Sequence, residues 1–195
     1  MKIRDIELFQ VDIPPIAAIA KYAPKIFDLT LCRVLTDEGL VGLGEAHGFV
    51  SDFEEAKRRL IGSDPLAVDP FTQEDPFECA LLDITAQAAG LPLHRFFGEQ
   101  VRDKVPVSYW SRPMEPAETA AEAEVGARLG FTNHKLKARP WNVVETVRLM
   151  KEAVGADYSV GLDPNQKFRE VHVAARLAHE LEPFGTVHNF ENPVL

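Results

Sequence analysis

The sequence has few cysteines, and it lacks the common signatures of membrane and nucleotide-binding proteins. Its two cysteines, Cys32 and Cys79, provide neither a disulfide framework nor a zinc-ligand spacing, and their apolar surroundings predict core thiols. No apolar run approaches the roughly 20 residues that a membrane helix needs. No Gly-x-Gly-x-x-Gly motif follows a predicted strand. We therefore expect neither a membrane association nor a nucleotide-binding sheet.

Positive charge is also scarce. The chain of 195 residues has 21 Lys and Arg against 30 Asp and Glu, which gives a net charge of −9 at pH 7. A nucleic-acid binder needs a basic face, so we expect no nucleic-acid partner. The first ten residues alternate like a strand and carry Arg4 and Asp5, unlike a signal peptide, so we expect a cytoplasmic protein.

The first hundred residues have the pattern of strands followed by helices. In chain order, the predicted elements are strands at 2–12, 29–35 and 40–45 and helices at 53–61 and 76–89. Gly39 lies in the turn between the second and third strands, which predicts an antiparallel hairpin joined by the first strand. The apolar stretch 14–25 contains three prolines and is predicted to be a covering loop. Ala88 is placed on the buried face of the last helix. This order indicates an α+β domain over residues 1–104.

From about residue 105 the pattern changes to an alternation of strands and helices. After the short run VPVSYW, the predicted elements are a helix at 116–129, a strand at 133–138, a helix at 142–154, a strand at 158–163, a helix at 169–181 and a strand at 186–191. Such alternation is typical of a parallel sheet with right-handed crossovers. We therefore predict a second domain over residues 105–195.

Each of the three strands in this second domain ends in charged or polar side chains. The first ends with Lys135 and Lys137, the second with Asp163 and Asn165, and the third with Glu191. Asp163 follows Lys137 by 26 residues, and Glu191 follows Asp163 by 28. These intervals fit the roughly 31 residues of one repeat in an eight-fold barrel. The active sites of such barrels lie at the carboxyl ends of the strands, so these side chains are candidates for one shared site.

The two lysines have the spacing of a general base with an electrostatic partner. Alternation along a strand puts Lys135 and Lys137 on one face and His134 and Leu136 on the other. Two adjacent ammonium groups repel, and each makes the other easier to deprotonate, as a general base near neutral pH requires. Surface charges at a frayed strand end are the alternative.

The acidic residues on the next two strands are candidate metal ligands. Asp163 and Glu191 supply the hard oxygen atoms that Mg²⁺ prefers, with ion pairs to the neighbouring lysines as the alternative. Asn165 lies two residues after Asp163, where it could bond a metal ligand or the substrate, or form a loop turn.

Taken in order, these motifs resemble the enolase superfamily, in its mandelate racemase and muconate lactonizing enzyme branch. The segments MKIRDIELFQVDIPP and TDEGLVGLGEA resemble the capping domain of that family, and ECALLDITAQAAGLPLHRFFGEQVRDKVPV resembles the run into its barrel. GFTNHKLKA carries a Lys-x-Lys motif, while VGLDPNQKF and NFENPV resemble the strands that bear the first and second metal ligands. The resemblance covers essentially the whole chain.

The resemblance implies an α+β capping domain followed by the first part of a modified (β/α) TIM-type barrel. It implies Mg²⁺-dependent removal of the proton α to a carboxylate, through a metal-stabilised enediolate. Lys137 matches the base and Lys135 its electrostatic partner, while Asp163 and Glu191 match metal ligands.

Five further residues are candidates for contacting the substrate: Lys21 and Tyr22 in the covering loop, His47, Arg139 and Asn165. A turn or surface position is the alternative for His47, and solvent exposure is the alternative for Arg139. The polar character of this set favours dehydration of an acid sugar. The alternatives are a racemase or epimerase of a 2-hydroxy acid or related carboxylate, and a non-catalytic half-barrel that binds a partner chain.

The family pattern requires a third acidic ligand one strand after Glu191, which we expect beyond residue 195. The chain thus looks truncated after about three barrel strands. We expect a complementary C-terminal polypeptide and a homo-oligomer, weak metal binding and no activity by this chain alone. The small-molecule partner is expected to be a carboxylate.

Overall fold

The computed structural model describes residues 1–22, 27–51 and 53–195, which divide into two units, Met1–Asp103 and Lys104–Leu195. In chain order, the first unit contains β1 (Ile3–Ile13), α1 (Ala17–Ala20), β2 (Phe27–Thr36), β3 (Val41–His47), α2 (Phe53–Leu60) and α3 (Phe77–Ala89). The three strands form an antiparallel sheet in the order β1-β2-β3, as the sequence predicts. Gly39 adopts a φ of 89° in the turn that joins β2 to β3.

The predicted covering loop 14–25 is partly helical. Its Ala-Ala-Ile-Ala segment forms the single turn α1, in keeping with the high helix propensity of alanine. Residues 23–25 of the predicted loop lie outside the described residues.

Helix α3 packs directly on the sheet because two glycines of β3 leave room for it. A Cβ atom at Gly42 would meet the carbonyl oxygen of Ala80, and one at Gly44 would meet that of Pro76. Phe77, Ala80, Leu81 and Ile84 of α3 are buried in this core, as predicted. Ala88 is exposed rather than buried, and Ala86 is buried instead. Ala88 lies in the last turn of α3, two residues before the cap at Gly90.

The two cysteines have opposite environments. Cys32 is buried in the sheet, and this burial raises the pKa of its thiol to about 12. Cys79 is exposed, so the prediction of two core thiols is wrong for this residue. Cys79 is two residues from both Phe77 and Leu81, which places it about 200° around α3 from each of these buried side chains.

The second unit is a parallel sheet covered by helices. In chain order, it contains β4 (Tyr109–Ser111), α4 (Pro116–Arg128), β5 (Asn133–Leu136), α5 (Val143–Val154), β6 (Ser159–Leu162), α6 (Val171–Leu181) and β7 (Val187–Phe190). The strand order is β4-β5-β6-β7, and every pair is parallel. The sheet has one strand more than the three predicted, because β4 has three residues and is too short to show a clear alternation.

The core of the second unit joins the sheet to the helices. Leu136 and Leu162 of the sheet, Val147 and Met150 of α5, and Leu177 of α6 are all buried in it. Side chains on the opposite face of the strands are left free of this core, and they provide the candidate site. Among the residues that the structure describes, no helix has the length and apolar content needed to cross a membrane.

Candidate functional site

Strand β5 positions the two lysines. The backbone nitrogen of Lys137 donates to the carbonyl oxygen of Ser111 at 3.2 Å, so the extended pairing with β4 continues one residue past β5. His134 and Leu136 are buried against the helices, whereas Lys135 and Lys137 are only partly buried. The alternation of the strand therefore separates an apolar face from a cationic one.

Four charged side chains from three adjacent strands form one network. Lys137 Nζ lies 2.5 Å from Asp163 Oδ2, and Lys135 Nζ lies 3.2 Å from the same oxygen. Lys135 Nζ also lies 2.8 Å from Glu191 Oε2. The side chain of Asp163 is 2% exposed, against 37% for Lys135 and 24% for Lys137. The structure thus brings together the four residues that the sequence selects at the strand ends.

Asn165 joins the same network. Lys137 Nζ donates to its Oδ1 at 2.8 Å, and the backbone nitrogen of Asn165 donates to Asp163 Oδ1 at 3.1 Å. The ammonium group of Lys137 therefore donates hydrogen bonds to both Asn165 and Asp163.

The ion pairs shift the pKa values of Lys135 and Asp163 in opposite directions. The hydrogen bond to Glu191 raises the pKa of Lys135, and the bond to Asp163 adds to this effect. This direction is opposite to the one expected from the repulsion of two ammonium groups, because that expectation left the facing carboxylates out. Burial favours the neutral form of Asp163, but hydrogen bonds from Lys137 and Lys135 outweigh it and hold the pKa of this carboxyl group below its usual value.

Two residues of β4 and its carboxyl end share the cationic face, and the sequence argument did not select them. Trp110 pairs in register with Lys135, and Arg112 follows two residues later on the same face. The guanidinium carbon of Arg112 lies 5.9 Å from the Trp110 ring centroid. Its Nε atom is buried and has no hydrogen-bond partner among the described residues. Both are identified by the pairing of β4 with β5, and the sequence pattern of this short segment gives no clear signal for them.

Unusual backbone conformations are concentrated at this end of the sheet. Within residues 1–22, 27–51 and 53–195, the non-glycine residues with positive φ are Asn165 (48°), Gln166 (64°), Arg169 (65°) and Asn192 (43°). All four lie in the loops that follow β6 and β7. The backbone nitrogen of Gln166 donates to the carbonyl oxygen of Asn192 at 2.7 Å and ties the two loops together. Conformations of this kind persist where the surrounding structure holds them, and they cluster at functional sites.

Arg139 lies beside this network without a hydrogen bond to its carboxylates. Its Nη1 donates to the carbonyl oxygen of Ala138 at 2.7 Å. Burial lowers the pKa of the guanidinium, while the negative charge of Asp163 acts in the opposite direction.

The remaining candidates, Lys21, Tyr22 and His47, belong to the first unit. Lys21 Nζ lies 4.9 Å from the centroid of the Tyr22 ring. His47 is exposed at the end of β3 and lines a cavity of about 360 Å³ with Phe49 and Asp75.

The described side chains provide only some of the ligands that a divalent cation needs. Among the described residues, no group of three or more His, Cys, Asp and Glu side chains is arranged to hold a metal ion. The carboxylates of Asp163 and Glu191 nevertheless approach a single positive charge, the Nζ of Lys135. Hard carboxylate oxygens converging on one cation suit two positions in the coordination sphere of Mg²⁺.

Comparison with known proteins identifies relatives. Residues 118–195 match the model of a family described as enolase C-terminal domain-like. A D-Ala-D/L-Ala epimerase from Cytophaga hutchinsonii is 29% identical over 84% of this chain and 51% of the relative. A D-galactonate dehydratase from Klebsiella pneumoniae (strain 342) is 30% identical over the same shares of both chains. The chain spans about half the length of the curated relatives it matches.

The fold is also similar to that of solved structures. The crystal structure of a dipeptide epimerase from Cytophaga hutchinsonii, complexed with Mg and the dipeptide D-Ala-L-Val, aligns with a TM-score of 0.81 and 26% identity. The alignment covers 100% of this chain and 60% of that structure. Together with the motifs at the strand ends, these similarities show that the chain belongs to the enolase superfamily, in its mandelate racemase and muconate lactonizing enzyme branch.

Proposed function

We propose that this chain supplies the proton-abstracting side of a Mg²⁺-dependent enzyme that acts on a small carboxylate. The observation that supports this function is the network in which Lys135 and Lys137 meet Asp163 and Glu191 at one edge of the parallel sheet. A lysine pair next to two convergent carboxylates provides both a base and oxygen ligands at a single place.

Lys137 is the base in this proposal. Its neutral amine removes the proton α to the substrate carboxylate, and the electrons of the broken C–H bond move towards that carboxylate. Lys135 lies beside it and offers a positive charge to the anion that forms. Asn165 accepts a hydrogen bond from Lys137 Nζ and orients the amine.

Asp163 and Glu191 would hold the Mg²⁺ ion in the active protein. A Mg²⁺ ion held there would supply positive charge to stabilise the deprotonated substrate. A third acidic ligand is proposed to come from a further strand of the barrel.

The two units have different roles in the same proposal. Residues 1–104 form the capping domain, and Lys21, Tyr22 and His47 contact the substrate from it. Residues 105–195 form the first part of a (β/α) barrel that is completed by further strands. The structural match supports this assignment, because all of this chain aligns with only 60% of the epimerase chain. The remaining part of the epimerase has no counterpart among residues 1–195.

Dehydration of an acid sugar is the reaction we favour. The polar residues Lys21, His47, Arg139 and Asn165 suit a hydroxylated substrate, and a D-galactonate dehydratase is among the relatives. In this reaction, the hydroxyl group on the carbon next to the deprotonated centre leaves as water, with a proton from an acid elsewhere in the enzyme. Epimerisation is the second candidate, and the similarity to the dipeptide epimerase supports it.

Exchange of the α-proton in D₂O tests the proposal. The full-length protein, with any polypeptide that co-purifies, is incubated with Mg²⁺ and either D-galactonate or the dipeptide D-Ala-L-Val, and deuterium uptake is followed by mass spectrometry. We expect Lys137→Ala to reduce the exchange by about 10²–10⁴-fold. Lys104→Ala, an exposed lysine of the same unit, is the matched control and should leave the rate unchanged.

Two results would contradict this function. Retained exchange in Lys137→Ala removes that lysine from the role of base. No exchange by the wild-type protein with either acid favours the non-catalytic half-barrel that binds a partner chain.

A further inference from the structure

A second cavity lies between the loops that follow β5 and β6. It has a volume of about 590 Å³ and is lined by Arg139 and Trp141 from the first loop and by Lys167, Phe168, Arg169 and Glu170 from the second. None of the four charged residues of the Lys135 network lines it. The cavity is therefore a separate feature of the same end of the sheet.

The charge of this cavity is opposite to that of the chain. Three cations, Arg139, Lys167 and Arg169, line it beside a single carboxylate, that of Glu170. No side-chain hydrogen bond or ion pair joins Lys167 or Arg169 to any of the described residues. On a chain with a net charge of −9, unpaired cations gathered around one cavity indicate a place for an anion.

Arg139 is the cation of this set whose side chain is held in position, whereas the side chains of Lys167 and Arg169 are exposed. Arg139 is half-buried, and its Nη1 is fixed on the carbonyl oxygen of Ala138. The backbone of Arg169 has a left-handed φ of 65° and forms a β-bridge with Val194. Burial of a guanidinium without a carboxylate partner costs free energy, and a bound anion would offset that cost.

The cavity also has an aromatic wall. The Trp141 side chain is 77% exposed, whereas Phe168 beneath the loop is buried. A large exposed indole beside cations suits a flat, apolar group attached to the anion.

We propose that this cavity binds a phosphate monoester whose phosphate contacts Arg139, Lys167 and Arg169 and whose flat, apolar part packs on Trp141. Three cations favour a dianionic phosphate over a carboxylate, which carries one negative charge. Arg139 is shared with the substrate contacts proposed above, whereas Lys167, Arg169 and Trp141 are not, and phosphate binding does not depend on proton abstraction.

Calorimetric titration of the full-length protein with phenyl phosphate, inorganic phosphate and benzoate tests the site. We expect phenyl phosphate to bind more tightly than either of the others. The variants Arg139→Gln and Arg169→Gln should each weaken its binding by about tenfold, the effect of one charge-assisted hydrogen bond. Trp141→Ala should reduce its affinity to that of inorganic phosphate. The exposed Arg128 at the end of α4 gives the matched control, Arg128→Gln, which should bind like the wild type.

Three results would overturn the proposal. Tighter binding of benzoate excludes the phosphate assignment. Equal weakening by Arg128→Gln shows a general charge effect rather than a site. Binding that is lost in Lys135→Gln but kept in Arg139→Gln places the anion at the lysine–carboxylate network instead.

Discussion

Lys137 and Asp163 are joined by an ion pair of 2.5 Å between the ends of neighbouring parallel strands. Asp163 is nearly inaccessible to solvent, and the same carboxylate oxygen also lies 3.2 Å from Lys135. One buried carboxylate oxygen thus pairs with two ammonium groups, and Glu191 supplies the second negative charge of the network.

Replacing Asp163 with Asn should destabilise the protein by about 1–3 kcal/mol at pH 7, because two lysines lose the negative charge with which both pair. The pKa of Asp163 is lower in the folded state than its usual 3.8, so its stabilising contribution is present above that pH. The contribution is lost as the pH falls through the lower folded value. Urea unfolding of the wild type and the variant between pH 7 and pH 2 measures this difference.

The matched control for this variant is Asp157→Asn, which changes an exposed carboxylate in the turn between α5 and β6. The control should lie within about 0.5 kcal/mol of the wild type. An Asp163→Asn protein as stable as the control would show that the ion pairs contribute nothing to folding.

His134 should make the protein sensitive to mild acid. Its ring is fully buried, with Nε2 2.7 Å from Ser111 Oγ and the Tyr109 ring edge-on, and burial lowers its pKa from 6.5 to about 4. Between these two values the unfolded chain binds a proton and the folded chain does not. Stability should therefore fall as the pH drops from 6.5 to about 4, by a total of about 3 kcal/mol.

The variant His134→Asn removes this titration. Its free energy of unfolding should be lower at pH 7 but should change less between pH 6.5 and 4 than that of the wild type. Identical pH slopes for the two proteins would exclude His134 as the source of the acid sensitivity.

Gly42 should not tolerate a side chain. Because a Cβ atom at this position would meet the carbonyl oxygen of Ala80, Gly42→Ala must push α3 away from the sheet. We expect a loss of about 1–3 kcal/mol, measured by thermal and urea unfolding. Leu43→Ala changes the exposed face of the same strand and should cost less than about 0.5 kcal/mol. A smaller effect at Gly42 than at Leu43 would disprove the close approach of α3.

We expect the Arg112 side chain to lower the free energy of unfolding of the protein. Its buried Nε has no partner in the described part of the chain, so Arg112→Met should raise the free energy of unfolding by about 1 kcal/mol. Because Arg112 shares a face with the proposed base, we expect the same variant to slow α-proton exchange. Arg128→Met serves as the control for both measurements. A variant that is less stable than the wild type would show that the guanidinium has a structural role.

The elements that could be predicted from the sequence are those with strong local signals. The turn at Gly39, the cap at Gly90 and the proline at the start of α4 mark boundaries that the structure places within one or two residues. Strand β4 was missed as a regular strand because its three residues are identified by pairing with β5 rather than by their own pattern.

The proximity of the four charged residues at the strand ends could be predicted from the sequence, but their electrostatics could not. Lys135 and Lys137 could be identified from their spacing, because the period of a strand fixes which side chains share a face. The raised pKa of Lys135 could not, because it depends on Glu191, which lies 56 residues away in the chain. Contacts over such distances follow from the packing of the whole sheet.

The two faces of the four-residue strand β5 differ in environment. His134 is buried as a neutral imidazole, and the ammonium group of Lys135, the next residue, lies on the other face. Inserting or deleting a single residue here would exchange the two faces of the strand. The lysines would then point into the hydrophobic core and the histidine would point towards the carboxylates. The length of this strand therefore decides which side chains face the core and which face the carboxylates.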